Sequence, residues 1–116
     1  MFSYQKLEVY QKAFLLNRKI YGFLKKDKDL PFYIKNQLGK ASLSIVLNIA
    51  EGSAKFGKKD RRNFFVISRG SAFEWASIMD LLYEEKEISI DFYKETSDEF
   101  ETISRLLFNM IKNLEN

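Results

Sequence analysis

The chain of 116 residues contains neither cysteine nor histidine. Without cysteine it has no disulfide, no thiolate nucleophile and no zinc–thiolate site. Histidine is the side chain that most often serves as a general base or metal ligand near neutral pH. Because these two absences remove the most familiar catalytic arrangements, the sequence predicts a protein that is not an enzyme, with no catalytic residue, no metal and no cofactor.

Helix-breaking residues and long apolar runs are also scarce. The chain has one proline and five glycines, which leaves few points where a helix must end. No stretch approaches the roughly 20 apolar residues that a transmembrane helix needs, and the mixed polar sequence of residues 1–12 does not resemble a signal peptide. We therefore expect no membrane association, a cytoplasmic location and one domain over residues 1–116.

The apolar residues that are present recur at intervals of three and four, which is the period of an α-helix. Three short breaks divide this pattern into four segments. They predict helices over residues 5–26, 32–54 and 58–85, and a fourth that begins near Phe92 with Asp91 as its N-cap. Since short connections make neighbouring helices antiparallel, the predicted fold is an all-α, up-down-up-down four-helix bundle.

The first and third predicted helices each carry two adjacent apolar stripes, which is more than a single buried face requires. In the first helix the stripes begin at Leu7 and Val9, and in the third they begin at Phe64 and Phe65. The second stripe of the first helix indicates either a subunit interface or a helix buried deeply in its own bundle.

Two glycines lie within predicted helices. Gly52 stands on the apolar stripe of the second helix, where a small residue lets a neighbouring helix approach closely. Gly70 lies in the middle of the third helix and disfavours it by about 1 kcal/mol relative to alanine. We therefore expect both glycines to pack against a neighbouring helix.

Four polar residues fall on or beside the apolar stripes: Ser44, Asn48, Glu51 and Glu74. A buried polar side chain is unfavourable unless it is hydrogen-bonded, and residues four apart on a helix can touch. We interpret the four as a structural polar network that fixes the register of the helices. The alternative is that the two glutamates are paired carboxylates for acid–base or metal chemistry, but the chain lacks the histidines of di-metal bundles.

The net charge of +3 is unevenly distributed along the chain. Residues 1–70 contain 15 Lys and Arg against 5 Asp and Glu, a net charge of +10, whereas residues 71–116 contain 4 against 11, a net charge of −7. The asymmetry indicates a basic face or a self-complementary surface for assembly. It is also compatible with helices that merely differ in their solvated charge.

The cations concentrate at the break between the second and third helices. Five fall within eight residues, a sixth follows two turns later, and Phe56 lies among them, where it could stack on a base. Basic turns are common on soluble proteins, but cations at a helix N-terminus are unfavourable for the helix dipole, so a phosphate ligand would explain them. The predicted nucleic-acid-binding residues are Lys55, Lys58, Lys59, Arg61, Arg62 and Arg69.

Three segments resemble the 23S rRNA intervening-sequence protein family. Residues 44–52, SIVLNIAEG, resemble its S-I-x-x-N-I-A-E-G signature, and residues 7–13 and 70–74 match further segments in order and spacing. The resemblance implies a four-helix bundle without enzymatic activity that assembles as a homopentamer. The family is similar to accessory proteins of diversity-generating retroelements, which implies RNA or DNA and a reverse transcriptase as partners.

The sequence thus predicts a non-catalytic, oligomeric four-helix bundle that associates with nucleic acid through its basic cluster. The alternative is a protein–protein interaction scaffold that does not bind nucleic acid. Such a scaffold would dock its partner on an exposed apolar stripe or on the acidic fourth helix.

Overall fold

The computed structural model describes residues 2–26 and 29–115, so the first two residues of the predicted break at residues 27–31 lie outside them. A short 3₁₀ helix precedes four α-helices, and the predicted all-α four-helix bundle is confirmed. The 3₁₀ helix covers Ser3–Lys6, and the α-helices are α1 (Glu8–Lys26), α2 (Phe32–Ala54), α3 (Lys58–Glu84) and α4 (Ile90–Asn113).

The start of α4 differs from the prediction because Ser89, and not Asp91, is its N-cap. The Ser89 hydroxyl accepts a hydrogen bond of 3.1 Å from the backbone N–H of Phe92. Asp91 lies in the first turn, where its carboxylate suits the positive end of the helix dipole. At α3 the N-cap residue is Gly57, and Asp60 lies in the first turn.

Hydrogen bonds between α2 and α3 show that these two helices run antiparallel. The Ser68 hydroxyl donates to the carbonyl of Ile45 at 2.8 Å, and the hydroxyls of Ser71 and Ser44 lie 2.7 Å apart, so numbers rise along α3 as they fall along α2. The helices form a ring in the order α1, α2, α3, α4, in which α2 and α3 make the most extensive contact and α1 and α4 the least.

One apolar stripe of each helix forms the core. In α1 and α3 the buried stripes are those that begin at Val9 and Phe65, while the stripes that begin at Leu7 and Phe64 are half-buried or exposed. The second stripe of α1 is therefore buried within the bundle and is not a subunit interface. Full burial of one such side chain contributes about 1.5–3 kcal/mol. The largest fully buried side chains include Trp75, Phe65, Leu16, Ile20, Leu38, Ile45, Ile49, Met79, Ile103 and Leu107.

Gly52 is a point of very close approach between α2 and α3. A Cβ atom at this position would lie 2.8 Å from Cε1 of Phe65 and 2.9 Å from Cβ of Phe64, so the predicted close packing of Gly52 is confirmed. Gly70 is exposed, and nothing lies within 4 Å of the position that its Cβ would take. The prediction that Gly70 packs closely was wrong, because its side of α3 faces solvent.

An ion-pair cluster joins α1 to α4. The Lys19 ammonium lies 2.7 Å from the Glu95 carboxylate and also contacts Glu99. Burial lowers the pKa of Lys19, but the hydrogen bonds and charges of the two glutamates outweigh burial and raise it. Since exposed pairs contribute only about 0–1 kcal/mol, the apolar core, and not this cluster, chiefly holds α1 against α4.

We expect Gly52→Ala to lower the free energy of unfolding by about 1–3 kcal/mol, because the added methyl group overlaps Phe65 and Phe64. Gly70→Ala is the matched control and should raise that free energy by about 0.5–1 kcal/mol, since it improves helix propensity in open space. Urea denaturation followed by circular dichroism measures both. A Gly52→Ala variant as stable as the wild type would contradict the close packing of α2 on α3.

Candidate nucleic-acid interface

The basic turn, residues 55–62, joins α2 to the start of α3 at one end of the bundle. Only three residues lie between the two helices. Lys55 (φ −80°, ψ 146°) and Gly57 (φ −80°, ψ 142°) both have extended backbone, and the N–H of Lys55 donates to the carbonyl of Gly52 at 3.2 Å. The close approach of the two helices at Gly52 accommodates this short connection, and residues 55–57 are exposed.

The three lysines of the basic turn are exposed. The ammonium of Lys55 lies 5.2 Å from the centroid of the Phe64 ring, which is within the range of a cation–π interaction. Lys58 and Lys59 occupy the first turn of α3 and make no hydrogen bond or ion pair with any residue that the structure describes. Their charges are therefore available to a ligand.

The two arginines of the basic turn are half-buried. Arg62 donates to the Glu115 carboxylate at 3.1 Å. The Nε atoms of Arg61 and Arg62 are buried and have no hydrogen-bond partner in the described part of the chain. These arginines are consequently less open to a ligand than the three lysines.

Arg69 lies outside the basic turn and links α3 to α4. Its Nε donates to the carbonyl of Ser104 at 3.1 Å, and its guanidinium carbon lies 5.0 Å from the Phe73 ring and 5.3 Å from the Phe108 ring. It follows Arg62 by seven residues, about 10 Å along the helix. These contacts give Arg69 a structural role, and its predicted contact with phosphate remains a prediction.

The structure has a shallow groove beside Arg69 that the sequence did not predict. Arg105 contributes a second cation to it, and the exposed ring of Phe108 is also part of its wall. The two residues are three apart on α4, but their spacing alone does not reveal that they meet Arg69 of another helix. The groove has a volume of about 360 Å³ and is lined by Arg69, Phe100, Glu101, Ser104, Arg105 and Phe108.

The structure brings two residues of the predicted polar network together. The Asn48 amide donates to the Ser44 carbonyl at 2.8 Å and to its hydroxyl at 3.0 Å. The Ser44 hydroxyl also bonds to Ser71, which the sequence did not identify. Glu51 and Glu74 are exposed, and neither forms a side-chain hydrogen bond or ion pair within residues 2–26 and 29–115.

The described residues contain neither a cluster of metal ligands nor a helix suited to span a membrane. No group of three or more Asp and Glu side chains is arranged to hold a metal ion there. Over the same residues, no helix combines the length and apolar character that a membrane crossing demands.

The sequence profile of the 23S rRNA-intervening sequence proteins matches residues 5–109. The chain belongs to the 23S rRNA-intervening sequence protein family. A crystal structure of a protein of unknown function from the S23 ribosomal protein family of Bacteroides thetaiotaomicron is similar, with a TM-score of 0.85 and 24% identity over 90% of this chain and 98% of that one. At this identity the likeness shows the fold alone. None of the curated proteins matches the chain.

The match to the 23S rRNA-intervening sequence protein family covers the whole candidate interface. Residues 5–109 include the basic turn and Arg69, while Glu115, the partner of Arg62, lies beyond them. The similar Bacteroides protein is itself of unknown function, so these comparisons assign neither a reaction nor a ligand to the site.

We expect Arg69→Ala to lower the free energy of unfolding by about 1–3 kcal/mol, because it removes a charged hydrogen bond and two cation–π contacts. Arg105→Ala is the matched control, since this exposed arginine makes no hydrogen bond to a described residue, and it should change stability by less than about 0.5 kcal/mol. Urea titrations compare the two. Equal stability of both variants would show that Arg69 does not link α3 to α4.

Proposed function

We propose that this intervening-sequence protein is a non-catalytic, oligomeric bundle that associates with nucleic acid through its basic turn. The observation that carries the proposal is the exposure of Lys55, Lys58 and Lys59 around one short connection. Asp60 is the one carboxylate among the eight residues of the turn. Clustered exposed cations attract phosphate groups and release the counterions around them.

The position of the lysines supports a ligand more strongly than their number does. Lys58 and Lys59 lie in the first turn of α3, where the positive end of the helix dipole disfavours cations. No described carboxylate pairs with either ammonium, so the fold gains nothing evident from the two charges. A phosphate ligand would reverse this penalty. Arg61, Arg62 and Arg69 have a secondary part in the proposal, because each is half-buried.

The oligomer would form through the outer face of α2 and α3. Leu47 on α2 is 55% exposed and Ile67 on α3 is 51% exposed, close to the seam that the Ser44–Ser71 hydrogen bond marks. Exposed apolar surface that continues along a helix typically marks an interaction site. The outer face consists of Leu47, Phe64, Ile67, Ile78 and Leu81. Its proposed occupant is a second copy of the chain, and a homopentamer is the assembly that the resemblance implies.

The same outer face favours the alternative function, a protein–protein interaction scaffold without nucleic-acid binding. A partner of different sequence, such as the reverse transcriptase that the resemblance implies, would then cover Leu47 and Ile67. Under this alternative, removing the lysines of the basic turn has no effect on partner binding. The two functions are thereby separable by experiment.

We expect the double variant Lys58→Ala, Lys59→Ala to bind RNA and DNA oligonucleotides more weakly while its fold is unchanged. If each lysine contacts one phosphate, the slope of log affinity against log salt should become shallower by about 1.5. Fluorescence anisotropy with labelled oligonucleotides measures both quantities. Lys25→Ala, Lys26→Ala removes the same charge from the last turn of α1 and is the matched control.

The nucleic-acid part of the proposal would be overturned by either of two results. One is wild-type affinity that does not weaken as salt rises. The other is an equal loss of affinity in the two double variants, which would show that net charge matters and the basic turn does not.

The oligomer has its own test by multi-angle light scattering. We expect the wild type to have a mass several times that of the 13.7 kDa chain, and Leu47→Glu, Ile67→Glu to reduce it to a monomer, because buried carboxylates would oppose association. Leu15→Glu is the matched control, since Leu15 is 52% exposed on the α1 side of the bundle. A monomeric wild type, or dissociation by Leu15→Glu alone, would exclude the outer face as the interface.

A further inference from the structure

Phe56 is an apolar side chain that the fold leaves without contacts. Its relative exposure is 103%, the highest of the large hydrophobic residues described, so the ring touches little beyond its chain neighbours. Burying a phenylalanine is among the larger favourable terms available to a small domain. Since this chain does not use Phe56 in that way, the ring contributes nothing evident to folding.

The structure nevertheless fixes the backbone position from which the ring projects. Phe56 is the middle residue of the three that join α2 to α3, and both of its neighbours have extended backbone. Directly before the connection, Gly52 packs α2 against the first turns of α3 with no space for a Cβ atom. The backbone of so short and well-anchored a connection loses little conformational entropy when a ligand covers the ring.

The surroundings of Phe56 restrict the chemistry of its ligand. Lys55 precedes it, and Lys58 and Lys59 follow within three residues, all exposed. A matching ligand must offer a flat apolar surface with negative charges beside it. An unpaired nucleotide does so, because its base has two free faces and its phosphates flank it. A duplex does not, because its bases are already stacked on one another, so that it presents base edges and phosphates but few free base faces.

We propose that the basic turn prefers single-stranded nucleic acid over duplex, and that the ring of Phe56 stacks on an unpaired base while the three lysines contact the adjacent phosphates. This inference rests on the proposed function and narrows it to one class of nucleic acid. RNA and DNA single strands share the required chemistry, and the experiment includes both.

The first test uses fluorescence. Trp75 is the chain's one tryptophan and is buried, at 1% exposure, so Phe56→Trp adds a single exposed indole. Titration with oligo(dT) or oligo(U) should quench the added emission, because a stacked base quenches an indole. Phe32→Trp is the matched control, since Phe32 is 81% exposed at the opposite end of α2, and its emission should not change.

The second test uses affinity. Phe56→Ala should weaken binding of single strands by about 5- to 150-fold, which is the range for loss of one stacked base, and leave the salt slope and the affinity for a duplex of equal length unchanged. Lys58→Ala, Lys59→Ala should weaken binding of strand and duplex alike. Because Phe56 has no intramolecular contact of note, its replacement should not alter stability by more than about 0.5 kcal/mol.

The outcomes separate this inference from the proposed function. Unchanged strand affinity in Phe56→Ala, together with weaker binding in the lysine variant, would overturn the stacking role and leave the basic turn as a phosphate site. A change in the oligomer mass of Phe56→Ala would overturn it as well, because the ring would then contact a second copy. If the wild type binds neither strands nor duplex, the proposed function fails and this inference fails with it.

Discussion

The contact between α2 and α3 depends on a missing side chain. At Gly52 the two helices approach so closely that even one carbon atom would overlap both Phe64 and Phe65. This approach accompanies the most extensive helix contact of the bundle and allows a connection of only three residues. The same constraint thus organises the core on one side of α2 and presents the basic turn at the end of the bundle.

Most of the fold follows from the three-and-four period of the apolar residues. That period predicted the four helices. It did not distinguish between two residues or two stripes that fit the helical pattern equally well. Ser89 and Asp91 can both cap a helix, and only the backbone shows that Ser89 does so. Likewise, the period shows that the stripes beginning at Leu7 and Val9 are both apolar, but which of them turns inward depends on the neighbouring helices. Gly70 was misjudged for the same reason.

The sequence likewise predicted one part of the candidate site and not the other. The basic turn could be predicted because its cations are close together in the sequence, and residues close in sequence are also close in the folded chain. The contacts of Arg69 with Ser104 and Phe108 could not be predicted, since they join positions 35 and 39 residues apart in the sequence. Ser71 was not predicted to belong to the polar network because its hydrogen bond depends on Ser44, which lies opposite it on another helix. The spacing of apolar residues along the chain does not show which residues of different helices contact each other.

The freedom of Phe56 from intramolecular contacts has an evolutionary consequence. A side chain embedded in the core can change only if its neighbours change with it, whereas position 56 has no such neighbours. Selection for folding therefore does not act on this ring, and random substitution would soon replace it. If relatives keep an aromatic residue at this tip, the cause must therefore lie outside the chain, and the residues found at this one position would indicate which relatives bind similar ligands.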